Sequence, residues 1–379
     1  MRTERSEPVV LQKQAERRMR TVYINGKFTA QQTTGVQRVA TRLVQAVDAQ
    51  LAAAQGQWVL LCPPGTETAP LKTITVRRVG PPGLPLHLWE QLVLPRAARG
   101  GLLVNLAGAA PYFASHQICL LHDAAVFDHP EAYTRPFALW YRLLFRRLAR
   151  RAEKLITVSN FSRARLVATL GLDAARVAVV PNGCDHLPGV VADVGVLARH
   201  GLVGKRFLLA VASANPTKNL AALVAAYAAL PADLSRCLVI AGGRNERVFA
   251  AVVAADPPGV VRTGRLGDPE LKALYEHATA LVFPSLYEGF GLPPLEAMVC
   301  GCPVAVAEAA SMPEVCGEAA LYFDPRSVPA ISAALQRLLT DTVLRERLRN
   351  AGLARAALYR WDDAATLLRA EIRAAGAGA

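Results

Sequence analysis

A chain of 379 residues that is 52% apolar and carries a formal charge of +13 has the length for two or three domains and the apolar content for large cores. No apolar run is long enough for a membrane-spanning helix: the longest candidate, Leu102 to Leu121, is broken by Asn105, Pro111, Ser115, His116 and Gln117. The positive balance would suit nucleic acid, an anionic membrane surface or anionic small molecules. The arginines are spread over several segments and no helix-turn-helix, zinc-finger or RNA-binding signature is present, so nucleic acid is not an expected partner.

Met1 to Arg20 holds six Lys/Arg and three Glu with weak apolar patterning, and is expected to be a mobile extension (residues 1–20) without the apolar segment of a secretory signal. Thr21 to Asn25 is the first core strand expected. The turn at Gly35 leads into a helix carrying Val39, Leu43, Val44 and Val47, which is a Rossmann opening, although one glycine alone signals only a turn. Strand-like runs follow at Trp58–Cys62, Ile74–Val76, Leu102–Leu106, Ile118–Leu121, Leu155–Val158 and Val177–Val180, with helical patterns between most of them, so a mainly parallel sheet is predicted. His122 and Asp123 come at the carboxyl end of one such strand, as a ligand-facing pair or as a capping Asp beside an incidental His. Arg135 to Lys154 has seven basic residues, one acid and four aromatics. Its helix places Arg142, Arg146 and Arg150 on one stripe, with Leu139, Trp140, Leu143 and Leu144 away from it. It is either a surface helix with its apolar face on the sheet or a basic amphipathic helix facing a membrane.

Residues 188–204 form a linker between an acceptor-side domain (21–187) and a second domain (205–358), with a final helix in 359–379. The second series of strands is Phe207–Val211, Cys237–Ala241, Val260–Arg262, Ala280–Phe283, Pro303–Ala307 and Leu321–Phe323. Lys218 follows its first strand, where an ammonium can neutralise a diphosphate. Seven cysteines with no C-x-x-C pair fit a reducing cytoplasm.

The densest signal is Ser285 to Met298, SLYEGFGLPPLEAM. It follows a buried strand, turns through Gly289 and Gly291, and enters a helix at Pro293-Pro294, where a missing N–H costs nothing. Glu288 and Glu296 frame this loop. The helix start favours phosphate, and carboxylates beside phosphate are tolerable when they accept from neutral hydroxyls, so the expected ligand contains both phosphate and sugar. In the alternative, Glu296 only complements the helix dipole and Glu288 is a solvated loop acid.

The pattern EGFGLPPLE, with VSNFSRARL, VVPNG, NPTKNL and GCPVAVAEAASMPEVCGEAALYFDP in order, resembles the retaining glycosyltransferases of family 4 (group 1 type) over roughly residues 21–370. The resemblance implies an α/β GT-B architecture: two Rossmann-like domains facing each other across a cleft, with the C-terminal helix crossing back to the first. It implies that Glu288 binds hydroxyls of the transferred sugar and Glu296 the ribose. His122 would lie against the sugar, and Gly35 and Lys218 at the diphosphate, with Gly289, Phe290, Gly291 and Leu292 also around the donor. Family members carry an Arg about six residues before Lys218. Ala212 stands there in this chain, so Arg244 or Arg265 would supply the second positive charge. No D-x-D triplet is present, so a metal-independent reaction without cofactor is expected, the co-substrate being a GDP- or UDP-sugar.

YINGKFTAQQTTGVQRVA and LHDAAVFDHPEAY look like polysaccharide and O-antigen enzymes, mannosyltransferases among them. That favours GDP-mannose as donor and a glycan or polyprenyl-diphosphate-linked saccharide as acceptor. The enzyme would be cytoplasmic, peripheral on the inner membrane face, with residues 135–154 as its contact. A catalytically inactive nucleotide-sugar-binding protein and a nucleotide-sugar epimerase of the same fold are the alternatives.

Overall fold

A computed structural model describes residues 21–52, 57–213, 215–231, 234, 237–243 and 256–376. The expected extension at 1–20 and Arg244 lie outside the described residues. The first sheet contains β1 (Val22–Asn25), β2 (Trp58–Cys62), β3 (Thr75–Arg78), β4 (Leu102–Asn105), β5 (Gln117–Leu120), β6 (Lys154–Thr157) and β7 (Val177–Val179). The second contains β8 (Leu208–Val211), β9 (Leu238–Ala241), β10 (Val260–Gly264), β11 (Ala280–Phe283), β12 (Val304–Ala307) and β13 (Leu321–Phe323). Their orders are β3-β2-β1-β4-β5-β6-β7 and β10-β9-β8-β11-β12-β13, and every described pairing is parallel. Both are doubly wound. Each reverses direction beside its first strand, between β1 and β4 and between β8 and β11, which is where such sheets open a ligand crevice at their carboxyl edge.

Parallel strands are covered on both faces, so central strands read as unbroken apolar runs. β2, β9, β11 and β12 are buried along their whole length. The edges differ. β3 (TVRR) and β10 (VVRTG) are short, partly exposed and carry arginines, a composition that discourages further strand pairing.

By contact the chain divides into two discontinuous units, residues 1–121, 147–156 and 365–379 in one and 122–146 and 157–364 in the other. In the first, the carboxyl ends of β1 and β4 meet in a buried polar cluster. Asn25 Nδ2 donates to Glu90 Oε1 and Asn105 Oδ1, both at 3.0 Å, and Lys27 Nζ donates to Glu90 Oε2 at 2.7 Å. Asn105 in turn donates to Gln117 Oε1 at 3.1 Å. Gly35 opens the Gly35–Gln50 helix of this unit, behind a capping box formed by Thr34 and Gln37, and open space surrounds its Cα.

All seven cysteines are free and, apart from half-buried Cys300, buried. Burial pushes the thiols of Cys119, Cys184, Cys300, Cys302 and Cys316 up to about 12.

The Arg135–Arg151 helix corrects one expectation. Leu139, Trp140 and Leu143 are exposed and share solvent with Arg146 and Arg150, while Leu144 and Phe145 are buried. Arg142 is tied inward: its Nε donates to the Val126 carbonyl at 2.7 Å, and its guanidinium lies 5.8 Å from the Phe127 ring centroid. Phe137 is stacked between Tyr133 and Tyr141, and Phe145 is buried, so of the four aromatics in this segment only Trp140 is exposed. The reason is periodicity: this helix has apolar residues around most of its circumference, and two different stripes satisfy a 3.6-residue repeat.

Candidate active site

In the second unit, β11 delivers the chain to Pro284 and the loop that ends at Gly291. Gly291 has φ +94, a conformation that favours glycine, and a Cβ there would also have to displace the end of the Met312 side chain, whose Cε lies 2.3 Å away. The Leu292–Val299 helix follows, with prolines in its first turn, and Gly301 at φ +72 terminates it as expected. A Cβ on Gly289 would come within 2.2 Å of the His122 carbonyl oxygen and 3.0 Å of Asp123 Cβ. The loop backbone therefore rests directly on residues 122 and 123.

Hydroxyls fix this loop from behind. Ser159 Oγ and Ser162 Oγ donate to the Gly289 carbonyl at 2.6 and 3.1 Å, and Ser311 Oγ donates to the Glu288 carbonyl at 3.0 Å. Ser162 Oγ also donates to the His122 carbonyl at 3.1 Å. Glu314 closes the arrangement by accepting from the backbone N–H groups of Asn160 and Phe161, at 2.8 and 2.9 Å, at the start of the Asn160–Leu170 helix. Tyr287 Oη donates to Asp128 at 2.9 Å, and Arg165 forms a two-point ion pair with the same carboxylate. Burial acts to raise the Asp128 pKa, but the Arg165 and Tyr287 hydrogen bonds and the charges of Arg165 and His129 outweigh it, holding the carboxyl below its usual range.

Lys218 ends a short turn capped by Asn215, whose Oδ1 accepts from the Thr217 N–H at 2.9 Å. Its Nζ pairs with Glu288 Oε1 at 2.5 Å, with 21% and 13% of the two side chains exposed. This pair bridges the segments after β8 and β11, the two strands that flank the second sheet's switch point. Asp123 is electrostatically coupled to both. Burial first, and then the charges of Glu288 and Asp128, raise its pKa, against lowering by Lys218 and by the 2.8 Å hydrogen bond that it accepts from the Ala125 N–H. Asp123 thus accepts from the first residue of the Ala125–Asp128 helix, whose N-cap is Ala124, and also lies close enough to Glu288 to feel its charge.

Glu296 is the fifth residue of this helix, past its first turn, and is buried. Tyr275 Oη donates to its Oε2 at 3.0 Å, and His186 Nε2 lies 3.3 Å from its Oε1. Phe290 is buried with its ring edge-on to Tyr359 at 5.6 Å, and Leu292, the first residue of the helix, is buried too. Arg265 is exposed and lies over Gly243, where a Cβ would meet its Nε at 2.3 Å. Gly242 in turn backs onto the Ala212 carbonyl. Arg265 thus stands at the carboxyl edge of β9 and β10.

Residues 198–355 match the family model for glycosyl transferases group 1, and residues 33–186 match the one for Glycosyltransferase Family 4. The chain is 32% identical over 265 residues to O-antigen chain mannosyltransferase B of Escherichia coli, covering 68% of this chain and 70% of that protein. It is 31% identical over 267 residues to the serotype-specific mannosyltransferase WbdA of Escherichia coli, covering 66% of this chain but only 32% of that longer protein. In fold it is similar to sucrose-phosphate synthase from Thermosynechococcus elongatus, with a TM-score of 0.72 and 20% identity over 94% of this chain and 99% of that one.

Proposed function

The chain belongs to glycosyltransferase family 4, and from that premise we propose that it transfers mannose from GDP-mannose, with retention, to a glycan or polyprenyl-diphosphate-linked saccharide in polysaccharide synthesis. The observation that carries this reading is the half-open Lys218–Glu288 pair at the switch point of the second sheet. Without donor, each side chain neutralises the other. The donor diphosphate takes the ammonium as its counter-charge, with Arg265 as the second cation, and Glu288 is released to accept from hydroxyls of the mannosyl ring. Glu296 accepts from the ribose. His122 is assigned to the sugar.

The acceptor hydroxyl attacks the anomeric carbon from the face that the phosphate leaves. The C–O bond to the diphosphate breaks, and a departing phosphate oxygen takes the acceptor proton. Preorganised positive charge at the leaving group supplies the main stabilisation, so no metal is required. The mannose assignment is supported by the mannosyltransferases to which the chain is 31–32% identical.

Incubation with a panel of GDP- and UDP-sugars and a polyprenyl-diphosphate saccharide tests the reading. GDP release with an α-mannosyl product, insensitive to EDTA, is expected. Binding of donor without transfer to any acceptor would favour the regulatory alternative. An isomerised nucleotide sugar formed without acceptor would favour the epimerase.

No helix among the described residues is long and apolar enough to cross a membrane. We place the protein at the cytoplasmic leaflet as a peripheral enzyme, with Leu139, Trp140 and Leu143 entering the headgroup region beside Arg146 and Arg150. Each such arginine contributes about 1 kcal/mol near an anionic surface. Arg146→Glu/Arg150→Glu should abolish cosedimentation with phosphatidylserine vesicles while transfer to a soluble acceptor persists. Wild-type protein that stays in the supernatant at physiological salt would refute the membrane contact.

A further inference from the structure

Glu296 is reached by a side chain that no motif assigned. His186 is buried and lies between two partners: its Nε2 is 3.3 Å from Glu296 Oε1, and its Nδ1 is 3.3 Å from the indole Nε1 of Trp361. An indole N–H can only donate. Nδ1 is therefore the acceptor, the ring proton sits on Nε2, and it is donated to the carboxylate. Tyr275 Oη holds the other oxygen, so Glu296 is gripped at both ends.

The support behind His186 is equally fixed. Asp185 Oδ1 accepts from the Trp361 backbone N–H at 2.9 Å, and Cys184 N–H donates to the Tyr359 carbonyl at 3.0 Å. A Cβ on Gly183 would meet the Trp361 nitrogen at 2.3 Å. The segment Gly183–His186 is thereby locked against the start of the Trp361–Ala374 helix.

We propose that His186 is a positioning residue for the donor: in the tautomer that Trp361 imposes, it fixes the Glu296 carboxylate so that its remaining lone pairs meet the ribose hydroxyls. The inference rests on the ribose role of Glu296 given above. It assigns the Trp361 indole a part in donor recognition that it plays through His186.

The test is a comparison of affinities, by calorimetry, for GDP and 2′,3′-dideoxy-GDP, with the UDP pair run in parallel. A hydrogen bond from ribose to a charged carboxylate gives wild type a preference of about tenfold or more for the ribose form. His186→Phe should reduce that preference to within about threefold, with affinity for the dideoxy form nearly unchanged. His186→Gln, which retains a donor, should restore most of it, and Trp361→Phe should lose at least about twofold. In turnover, the His186→Phe loss should fall on donor KM with kcat little altered, as for an interaction equal in ground and transition states.

An undiminished preference in His186→Phe, or equal weakening of both ligands, would overturn the positioning role and leave the ribose assignment standing. A wild-type protein that does not distinguish ribose from dideoxyribose would overturn the ribose assignment itself. If His186→Phe does not fold, the decision passes to Trp361→Phe, and a full preference there refutes the proposal.

Discussion

Both sheets reverse direction beside their first strand, and in both a lysine just after that strand pairs with a glutamate, but the two pairs differ in access. Lys27–Glu90 leaves only 4% and 3% of its side chains exposed and is surrounded by Asn25, Asn105 and Gln117, whereas Lys218–Glu288 leaves 21% and 13% exposed. In the first, each charged group is satisfied inside the protein, which suits a structural keystone. In the second, both side chains keep part of their surface in solvent, which suits the exchange of partners with a ligand proposed above. The two lysines hold equivalent places after the first strand of their sheets, but the glutamates do not: Glu90 precedes β4 whereas Glu288 follows β11, and the amides around the first pair make the difference in access.

The sharpest way to break the comparison is to remove one member of the sealed pair. Glu90→Ala leaves a buried ammonium unpaired and should cost about 3–5 kcal/mol in urea denaturation, whereas the double apolar replacement Lys27→Met/Glu90→Leu should recover most of that loss. The open pair should behave in the opposite sense. Glu288→Ala should lower kcat/KM roughly 10- to 150-fold, the loss of about 1.5–3 kcal/mol per hydrogen bond to a charged group. Its unfolding free energy should stay within about 1 kcal/mol of wild type. Lys218→Ala should weaken nucleoside diphosphate binding while nucleoside affinity is preserved, and equal losses for both would mark the lysine as structural.

A smaller effect is expected from Ser311→Ala, which frees the Glu288 carbonyl: about 0.5–1.5 kcal/mol of stability and a correspondingly modest loss of turnover. The smallest is pH-dependent. Asp128 has a lowered folded pKa, so its contribution is complete above the unfolded carboxylate value of about 3.9 and is lost as pH falls through the folded value. Arg165→Ala should therefore lower Tm slightly at pH 7, by the equivalent of less than about 1 kcal/mol given the exposure of that arginine, and the gap from wild type should close towards pH 2.

The strands and the glycine loop were legible because their signals are local: an apolar run such as ALVF, a φ that favours glycine at Gly291, prolines at a helix start. The place of Lys218 at the carboxyl edge of the second sheet could be read from its position after a strand, but its pairing with Glu288 joins residues 70 apart in sequence. The supports were out of reach for the same reason. Ser159 reaches Gly289 across 130 residues, and Tyr275 and His186 converge on Glu296 only after β11 and its helix are in place. VSNFS and the SMPE segment marked those serines as notable without saying what they hold. Arg135–Arg151 misled because an apolar position on a helix does not say which side the rest of the protein occupies.

The cysteines have a practical corollary. A thiol reacts through its thiolate, and thiols held near 12 and shielded from solvent have almost none at neutral pH. The native chain should therefore resist maleimide labelling without any cysteine being removed. A single cysteine introduced at an exposed position away from the site, such as Val191→Cys, would carry a fluorophore or spin label as the dominant adduct in an otherwise unmodified protein.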